Sequence, residues 1–485
     1  MNVLLISGVI LFLCVISSKV LYKYGIPTLI IFLAIGMIMG SEGLGGIYFD
    51  NSQLASQLCN FGFLFIMFSG GFETNWKTAK PIIFPSTVLA TIGVALTAFL
   101  IGIFAHHFLG MTFLEGMLLG SIISSTDAAS VFSILRSKNL NLKNNLAPML
   151  EMESGSNDPM SYMLTTIFLG VITGNEHNIV ILLTTQILIG VLVGLLIGKI
   201  SLWLMNKINL DIEGLYSVLA ISIALLSYSI ASATMGNGFL AVYITGLVMG
   251  NGKLVNKVSL VRYFDGISWL MQILLFFTLG LLVFPSQLLG VALKGTATAA
   301  FIIFVARPIA VFFVLTLFKK PIKDMLLVSW VGFRGVASIV FATYPLMAGL
   351  PVADEIFNIV FFVALVSVLV QGTLFVPIAK KLNLVGEEET VLKTFNDYEE
   401  FAVELLEVNI DKNSKMIGKA IEDMNIPGDV LIIMIRRGEK IITPNGSTVI
   451  KANDTIVFSA EDKNKLLKID EKLKACIVSF DFFIF

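Results

Sequence analysis

The chain has 485 residues, 56% of them hydrophobic and 14% charged, with a formal net charge of −1. A soluble globular domain carries about 25% charged residues; the net charge itself says nothing about nucleic acid, and no nucleic-acid partner is expected. Cys14, Cys59 and Cys476 lie far apart and form neither a metal-ligand spacing nor a disulfide framework, and no nucleophile or phosphate-loop spacing points to an enzyme.

Apolar runs near the ~20 residues that cross a bilayer recur as far as about residue 384. In chain order the thirteen hydrophobic segments are 3–22, 26–41, 54–74, 81–109, 113–135, 145–173, 178–205, 213–234, 237–252, 264–284, 287–318, 323–347 and 355–381. A lipid-spanning barrel would instead show alternating stretches of ~10 residues. The first basic residue, Lys19, follows the first apolar run. A secretory signal carries its positive charge in front, so this run reads as an uncleaved helix. Lysine and arginine then collect in alternate loops, at Lys77 and Lys80, at Arg136, Lys138 and Lys143, at Lys253, Lys257 and Arg262, and at Lys380 and Lys381. Positive loops stay in the cytoplasm. The pattern predicts a polytopic α-helical protein of the cell membrane with its N-terminus outside and its C-terminus inside.

After Leu384 the composition changes. Residues 385–394, with GEEET, read as an acidic linker. Residues 395–472 read as a small cytoplasmic α+β domain. FAVELLEVNI and DTIVFSA are predicted strands, SKMIGKAIEDMN a short helix, and DVLIIMIRRGEKIITP a hairpin turning at Arg437-Gly438. The apolar residues 473–485 are too short to span and stay unassigned.

Seven ionisable groups fall at membrane depth: Glu73, Asp127, Glu151, Glu153, Asp158, Arg307 and Arg334. Each costs roughly 2.5–3.5 kcal/mol near a helix centre, so such groups persist where they are paired, hydrated or functional. Five acids against two arginines suit a site that attracts cations. In MLEMESGSNDP, Glu153 and Asn157 are four apart and share a helix face, with Asp158 turned about 100° away. Pro159 removes a backbone donor there. A carboxylate, an amide carbonyl and the hydroxyls of Ser154 or Ser156 are hard oxygen ligands for a small hard cation. Glu151, nearest the loop, reads as structural, and Glu153 reads as the partner of an arginine. Arg307, before Pro308, reads as a counter-charge. Glu73 ends the third segment, either as a solvated helix end or as part of the ion path.

The fifth segment holds SIISSTDAASVF, and the twelfth holds WVGFRGVASIVFAT. Ser and Thr can satisfy backbone groups freed where a membrane helix is interrupted. If segments one to six repeat as eight to thirteen, these two interruptions match, as in an inverted-repeat transporter with a midplane site. Close helix packing is the other use of such small residues.

ESGSNDP at 153–159, the Thr126-Asp127 pair, FRG at Arg334, ARP at Arg307 and GGFE at Glu73 together resemble the monovalent cation/proton antiporters of the NhaP type, over about residues 1–384. The tail resembles the TrkA-C (RCK-C) domain through NSKMIGKAIED and ITPNGSTVIKANDTIVF, although many relatives have Gly-Asp where Asn453-Asp454 stands. The combination most resembles the potassium/proton antiporters of the cell-volume-regulation type. The resemblance implies that Asp158 binds cation and proton in turn, and that Asn157 stands where electrogenic relatives have a second acid. It implies that Glu153 pairs with Arg334, and that Thr126 (through its backbone), Ser154, Asp127 and Glu73 complete or shape the site. It also implies a homodimer without a cofactor, and a small cytoplasmic ligand, such as a nucleotide or cyclic dinucleotide, on the tail.

A carboxylate emptied of its ion in a low-dielectric cavity takes up a proton, so cation and proton compete for one charge. If only the loaded carboxylate crosses, exchange of K⁺ or Na⁺ for H⁺ is forced, and with Asn157 neutral the coupling is one to one. The expectations left beside this are a Na⁺(Li⁺)/H⁺ antiporter and, from another class, a ligand-gated monovalent cation channel. No TVGYG-like carbonyl filter supports the channel.

Overall fold

In hydrocarbon every backbone N–H and C=O must be satisfied within the chain, which makes the apolar runs helices. The computed structural model describes residues 3–22, 28–127, 131, 134–135, 140–174, 178–386, 404–410, 414, 416–424, 426, 430–438 and 440–460. It divides into two units, residues 1–388 and 389–485.

The first unit is helical. Its elements are α1 (Val3–Tyr22), α2 (Thr28–Met39), α3 (Ser52–Glu73), α4 (Trp76–Leu109), α5 (Phe113–Ile123), α6 (Leu146–Ile172), α7 (Ile179–Lys207), α8 (Gly214–Ala233), α9 (Gly238–Asn251), α10 (Lys257–Leu281), α11 (Pro285–Leu317), α12 (Ile322–Trp330), α13 (Val336–Met347) and α14 (Ala353–Lys381). Among the described residues seven helices, namely α3, α4, α7, α8, α10, α11 and α14, are long and apolar enough to cross a membrane. Large apolar side chains such as Leu188, Leu192 and Trp203 point outward from α7 and are exposed. An outer surface of this kind suits lipid rather than water.

The helices pack as two bundles. One holds α1–α3 and α7–α10, and the other holds α4–α6 and α11–α14. Small residues let neighbouring backbones touch. A Cβ on Gly246 or Gly250 of α9 would strike the backbone carbonyl of Phe68 or Phe72 on α3. In the second bundle, α4 and α11 are each interrupted by a π-helical turn, at Leu89–Gly93 and Ile302–Ala306. Such turns widen a helix locally and recur at functional sites.

Two strands, β1 (Asn141–Leu142) and β2 (Val385–Gly386), pair antiparallel and tie the segment before α6 to the end of α14. The Lys143 N–H adds a bond to the Leu384 carbonyl at 2.9 Å. Val385 and Gly386, expected in the linker, therefore belong to a strand. The rest of the expected linker, residues 387–394, lies outside the described residues, as do residues 473–485.

The second unit carries an antiparallel sheet of β3 (Glu404–Asn409), β4 (Leu431–Arg437), β5 (Lys440–Ile442) and β6 (Asp454–Ala460) in the order β3-β6-β4-β5. The β4–β5 turn falls where the sequence placed it, with Gly438 at φ +61°, a left-handed conformation that costs glycine nothing. Val408, Ile410, Ile432, Ile435, Ile456 and Phe458 form the core. The helix expected over SKMIGKAIEDMN is instead a turn at 416–418 followed by the short 3₁₀ helix Ile421–Met424. Ala420 bridges to Val449 in its middle, so tertiary pairing overrides helix propensity.

Candidate ion site

The site is built where two helices of the second bundle stop short. α5 ends at Ile123, and residues 125–127 are not helical. α12 ends at Trp330, and residues 332–335 are not helical before α13 begins. The two non-helical segments meet, and the Asp127 N–H donates to the Phe333 carbonyl at 2.8 Å. Ser125 and Ser338 share a hydroxyl–hydroxyl bond of 3.1 Å. Both breaks expose carbonyls at a helix C-terminus, which need partners when buried. Arg334 Nη1 supplies them at α5, donating to the Ser124 and Ser125 carbonyls at 2.8 and 2.7 Å. At α12 the Gln371 side-chain amide donates to the Trp330 carbonyl at 2.7 Å.

α6 runs past this crossing without a break, although Pro159 lies inside it. Its polar residues hold the α5 interruption. Ser154 Oγ donates to the Thr126 carbonyl at 2.8 Å, and Asn157 Nδ2 donates to Thr126 Oγ1 at 2.6 Å. Among the described residues the Asn157 carbonyl oxygen and Asp158 Oδ1 are buried without a hydrogen-bond partner.

Asp158 and Asp127 are half-buried and line one cavity between the two bundles. Ser125, Thr126, Gly335, Val336 and Ala337 complete its wall on their side. From the other bundle come Phe63 and Ile66 of α3 with Gln272 and Phe276 of α10. A Cβ on Gly335 would overlap the Asp127 side chain, so that residue type is what lets the carboxylate reach the cavity. Gly155 does the same for the approach of α6 to α9, since a Cβ there would lie 2.5 Å from the Tyr243 ring. One turn beyond Asp158 an aromatic layer joins the bundles. Phe63 meets Phe341 at 5.6 Å between ring centroids and Tyr162 meets Phe239 at 5.1 Å, while the Tyr344 hydroxyl donates to Asn60 Oδ1 at 2.6 Å.

The expected pairing of Glu153 with Arg334 is corrected by the structure. Glu153 is gripped by Arg307, with Nη1 to Oε1 at 2.7 Å and Nη2 to Oε2 at 2.8 Å, and both side chains are buried. The π-helical turn Ile302–Ala306 ends immediately before Arg307. Arg334 spends its charge on helix carbonyls instead. Glu73 does not line the cavity. It is exposed at the end of α3 and accepts a bond from Ser69 at 2.9 Å. Sequence reasoning passed over Gln272, Gln371 and Asp324. Asp324 is buried and accepts a bond from Asn144 at 2.9 Å. Gln272 and Gln371 carry no charge, and a search for charged groups at membrane depth passes over neutral amides.

The transmembrane sodium/hydrogen exchanger family profile matches residues 8–381. The chain belongs to the sodium/hydrogen exchanger family. A TrkA-C domain matches residues 405–473 of this exchanger-family protein. It is 36% identical over 462 residues to the K(+)/H(+) antiporter NhaP of Alkalimonas amylolytica, covering 94% of this chain and 80% of that one. It is 35% identical over 469 residues to the K(+)/H(+) antiporter NhaP2 of Shewanella sp. (strain ANA-3), covering 95% and 81%. Among solved structures it is similar to the sodium proton antiporter MjNhaP1 of Methanocaldococcus jannaschii, with a TM-score of 0.70 and 26% identity over 77% of this chain and 97% of that one.

Proposed function

We propose that this protein is a secondary antiporter that exchanges cytoplasmic K⁺ (or Na⁺) for external H⁺, one for one and without net charge. The observation that carries the reading is the placing of Asp158 and Asp127 in one cavity between two bundles, beside two interrupted helices. Such a cavity offers a cation hard oxygen atoms in a low dielectric, where a carboxylate left alone prefers a proton. Asp158 is the exchanging carboxylate. Asp127, Thr126, Ser154 and Asn157 shape its surroundings, and the neutral amide of Asn157 leaves one titrating charge per crossing. The Glu153–Arg307 pair and Arg334 hold the scaffold. The relatives named as K(+)/H(+) antiporters support the cation preference.

The same reading has thirteen spans in two inverted six-helix repeats, an external N-terminus and a cytoplasmic tail, in a homodimer. The matching π-helical turns of α4 and α11 support the repeat. Residues 1–384 transport, residues 387–394 link after strand β2, and residues 395–472 act as a regulatory domain for a small cytoplasmic ligand.

The test is reconstitution in liposomes with a proton-sensitive dye. A pH gradient should drive uphill movement of K⁺ or Na⁺, and Asp158→Asn should abolish it. Wild-type exchange by that variant would sink the proposal. Movement that only follows the cation's own gradient would favour a channel.

A further inference from the structure

The cavity that holds Asp158 and Asp127 has two unlike walls. The wall with the acids is rich in oxygen atoms. The wall from the other bundle is apolar except for Gln272, the one polar side chain that α3 and α10 contribute among the described residues. Gln272 interrupts the apolar run Trp269-Leu-Met-Gln-Ile-Leu-Leu-Phe-Phe277 on α10. An amide in such a run carries a desolvation cost unless it finds a partner. No hydrogen bond within the protein engages it among the described residues, and the polar groups sharing its cavity are the carboxylates and hydroxyls of the opposite wall.

We propose that Gln272 is a specificity-determining residue for the transported cation, supplying an oxygen ligand from the bundle opposite Asp158. An amide can serve both cargoes. Its carbonyl oxygen can ligate a metal ion, and its NH₂ group can donate to a carboxyl oxygen when the proton is bound instead. The hard oxygen ligand suits K⁺, Na⁺ and Li⁺ alike, so the choice among them lies in how far the ligand must reach. That reach is set by the spacing of two separate bundles, because Asp158 sits on α6 and Gln272 on α10. A contact made across such a boundary exists in one arrangement of the bundles and is lost in another. It therefore contributes affinity in one state and releases the ion in the next.

The inference rests on the antiporter reading and is tested in the reconstituted full-length protein. Gln272→Ala and Gln272→Leu should raise the apparent KM for K⁺ or Na⁺ by roughly tenfold, the scale of one lost contact to a charged group. The maximal rate should stay within about twofold, since the barrier-crossing acids are untouched. The ranking of K⁺, Na⁺ and Li⁺ should flatten, and Gln272→Asn should recover part of the loss. Unchanged KM and ranking would overturn the proposal, as would a fall in maximal rate alone, which marks a packing role. A second readout separates this idea from the reading beneath it. Added KCl should raise the melting temperature of the detergent-solubilised wild type relative to choline chloride, and Gln272→Leu should lose that shift. A wild type that shows the shift without exchange would refute the antiporter reading and still judge Gln272.

Discussion

Arg307 holds Glu153 with both terminal nitrogens, at 2.7 and 2.8 Å, in a buried pair that joins α11 to α6 four residues before Asn157. Two fully desolvated charges at this depth tolerate each other's presence and little else. Removing one partner leaves the other buried and uncompensated, which costs about 3–5 kcal/mol. Glu153→Ala and Arg307→Ala should each lower the melting temperature in detergent strongly. Glu153→Leu combined with Arg307→Met should recover most of the loss, because a pair replaced by apolar side chains leaves no orphaned charge. If Arg334→Ala rather than Arg307→Ala matched Glu153→Ala in this assay, the Glu153–Arg307 pairing would be refuted.

Arg334 has a different task and should fail differently. Its Nη1 group caps two carbonyls at the end of α5, where the helix dipole is negative. Charge at a helix C-terminus contributes up to ~2 kcal/mol in a partly buried setting. Arg334→Lys keeps the charge and several donors on one nitrogen, but that nitrogen stands one bond nearer the backbone than Nη1 and reaches the two carbonyls less well. We expect Arg334→Lys to lose stability by about 1–2 kcal/mol, with exchange reduced more than stability, because the capped carbonyls lead straight into Thr126 and Asp127. Thermal unfolding and proteoliposome exchange measured on the same preparation check this. A loss of stability with full exchange would contradict it.

Gly335 leaves the space that Asp127 occupies. An added Cβ overlaps the carboxylate arm, so Gly335→Ala must push Asp127 away from the cavity or shift the start of α13. A displacement of about 1 Å at a reacting group can cost on the order of 100-fold. Gly335→Ala should therefore cut exchange by roughly tenfold to a hundredfold and also lower the melting temperature. Full exchange by this variant would show that the position of Asp127 is not critical.

Much of this arrangement was legible in the sequence, and the part that was not has a physical reason. The two helix interruptions could be read because hydroxyl side chains, glycines and a charge inside an apolar run are costly in hydrocarbon and persist where the helix opens or a site forms. The acids of α6 could be placed on faces because a helix has a fixed turn per residue. The partner of Glu153 could not be read, since Arg307 and Arg334 are equally long, equally charged and 27 residues apart in a chain whose helix crossings set the distances. Gln272 and Gln371 escaped because they are neutral. The 416–424 segment escaped because its sheet contacts with residues 446–450 are made across the fold and outweigh local propensity.

In the tail domain, Asp454 is buried and accepts bonds from Arg437 Nε and Nη2 at 2.7 Å each and from the Lys451 N–H at 2.8 Å. Burial by itself raises a carboxyl's pKa, but the Arg437 guanidinium and the Lys451 N–H outweigh it here and hold Asp454 below the ordinary carboxylate range. The sign follows from linkage. A group depressed in the folded state contributes stability above its unfolded value, near 3.9, and loses that contribution as pH falls through the folded value. β4 and β6 meet at this pair, through Arg437 and Asp454. Hydrogen exchange of the full-length protein, corrected for intrinsic rates, should show steady protection of both strands from pH 7 to about 4 and a fall below that. Asp454→Asn should weaken protection by about 2 kcal/mol at neutral pH, the scale of hydrogen bonds to a charged group, and should flatten the acid dependence. A wild-type profile that stays level through pH 3, or an Asp454→Asn profile that still falls, would show that another carboxylate governs the acid stability of the domain.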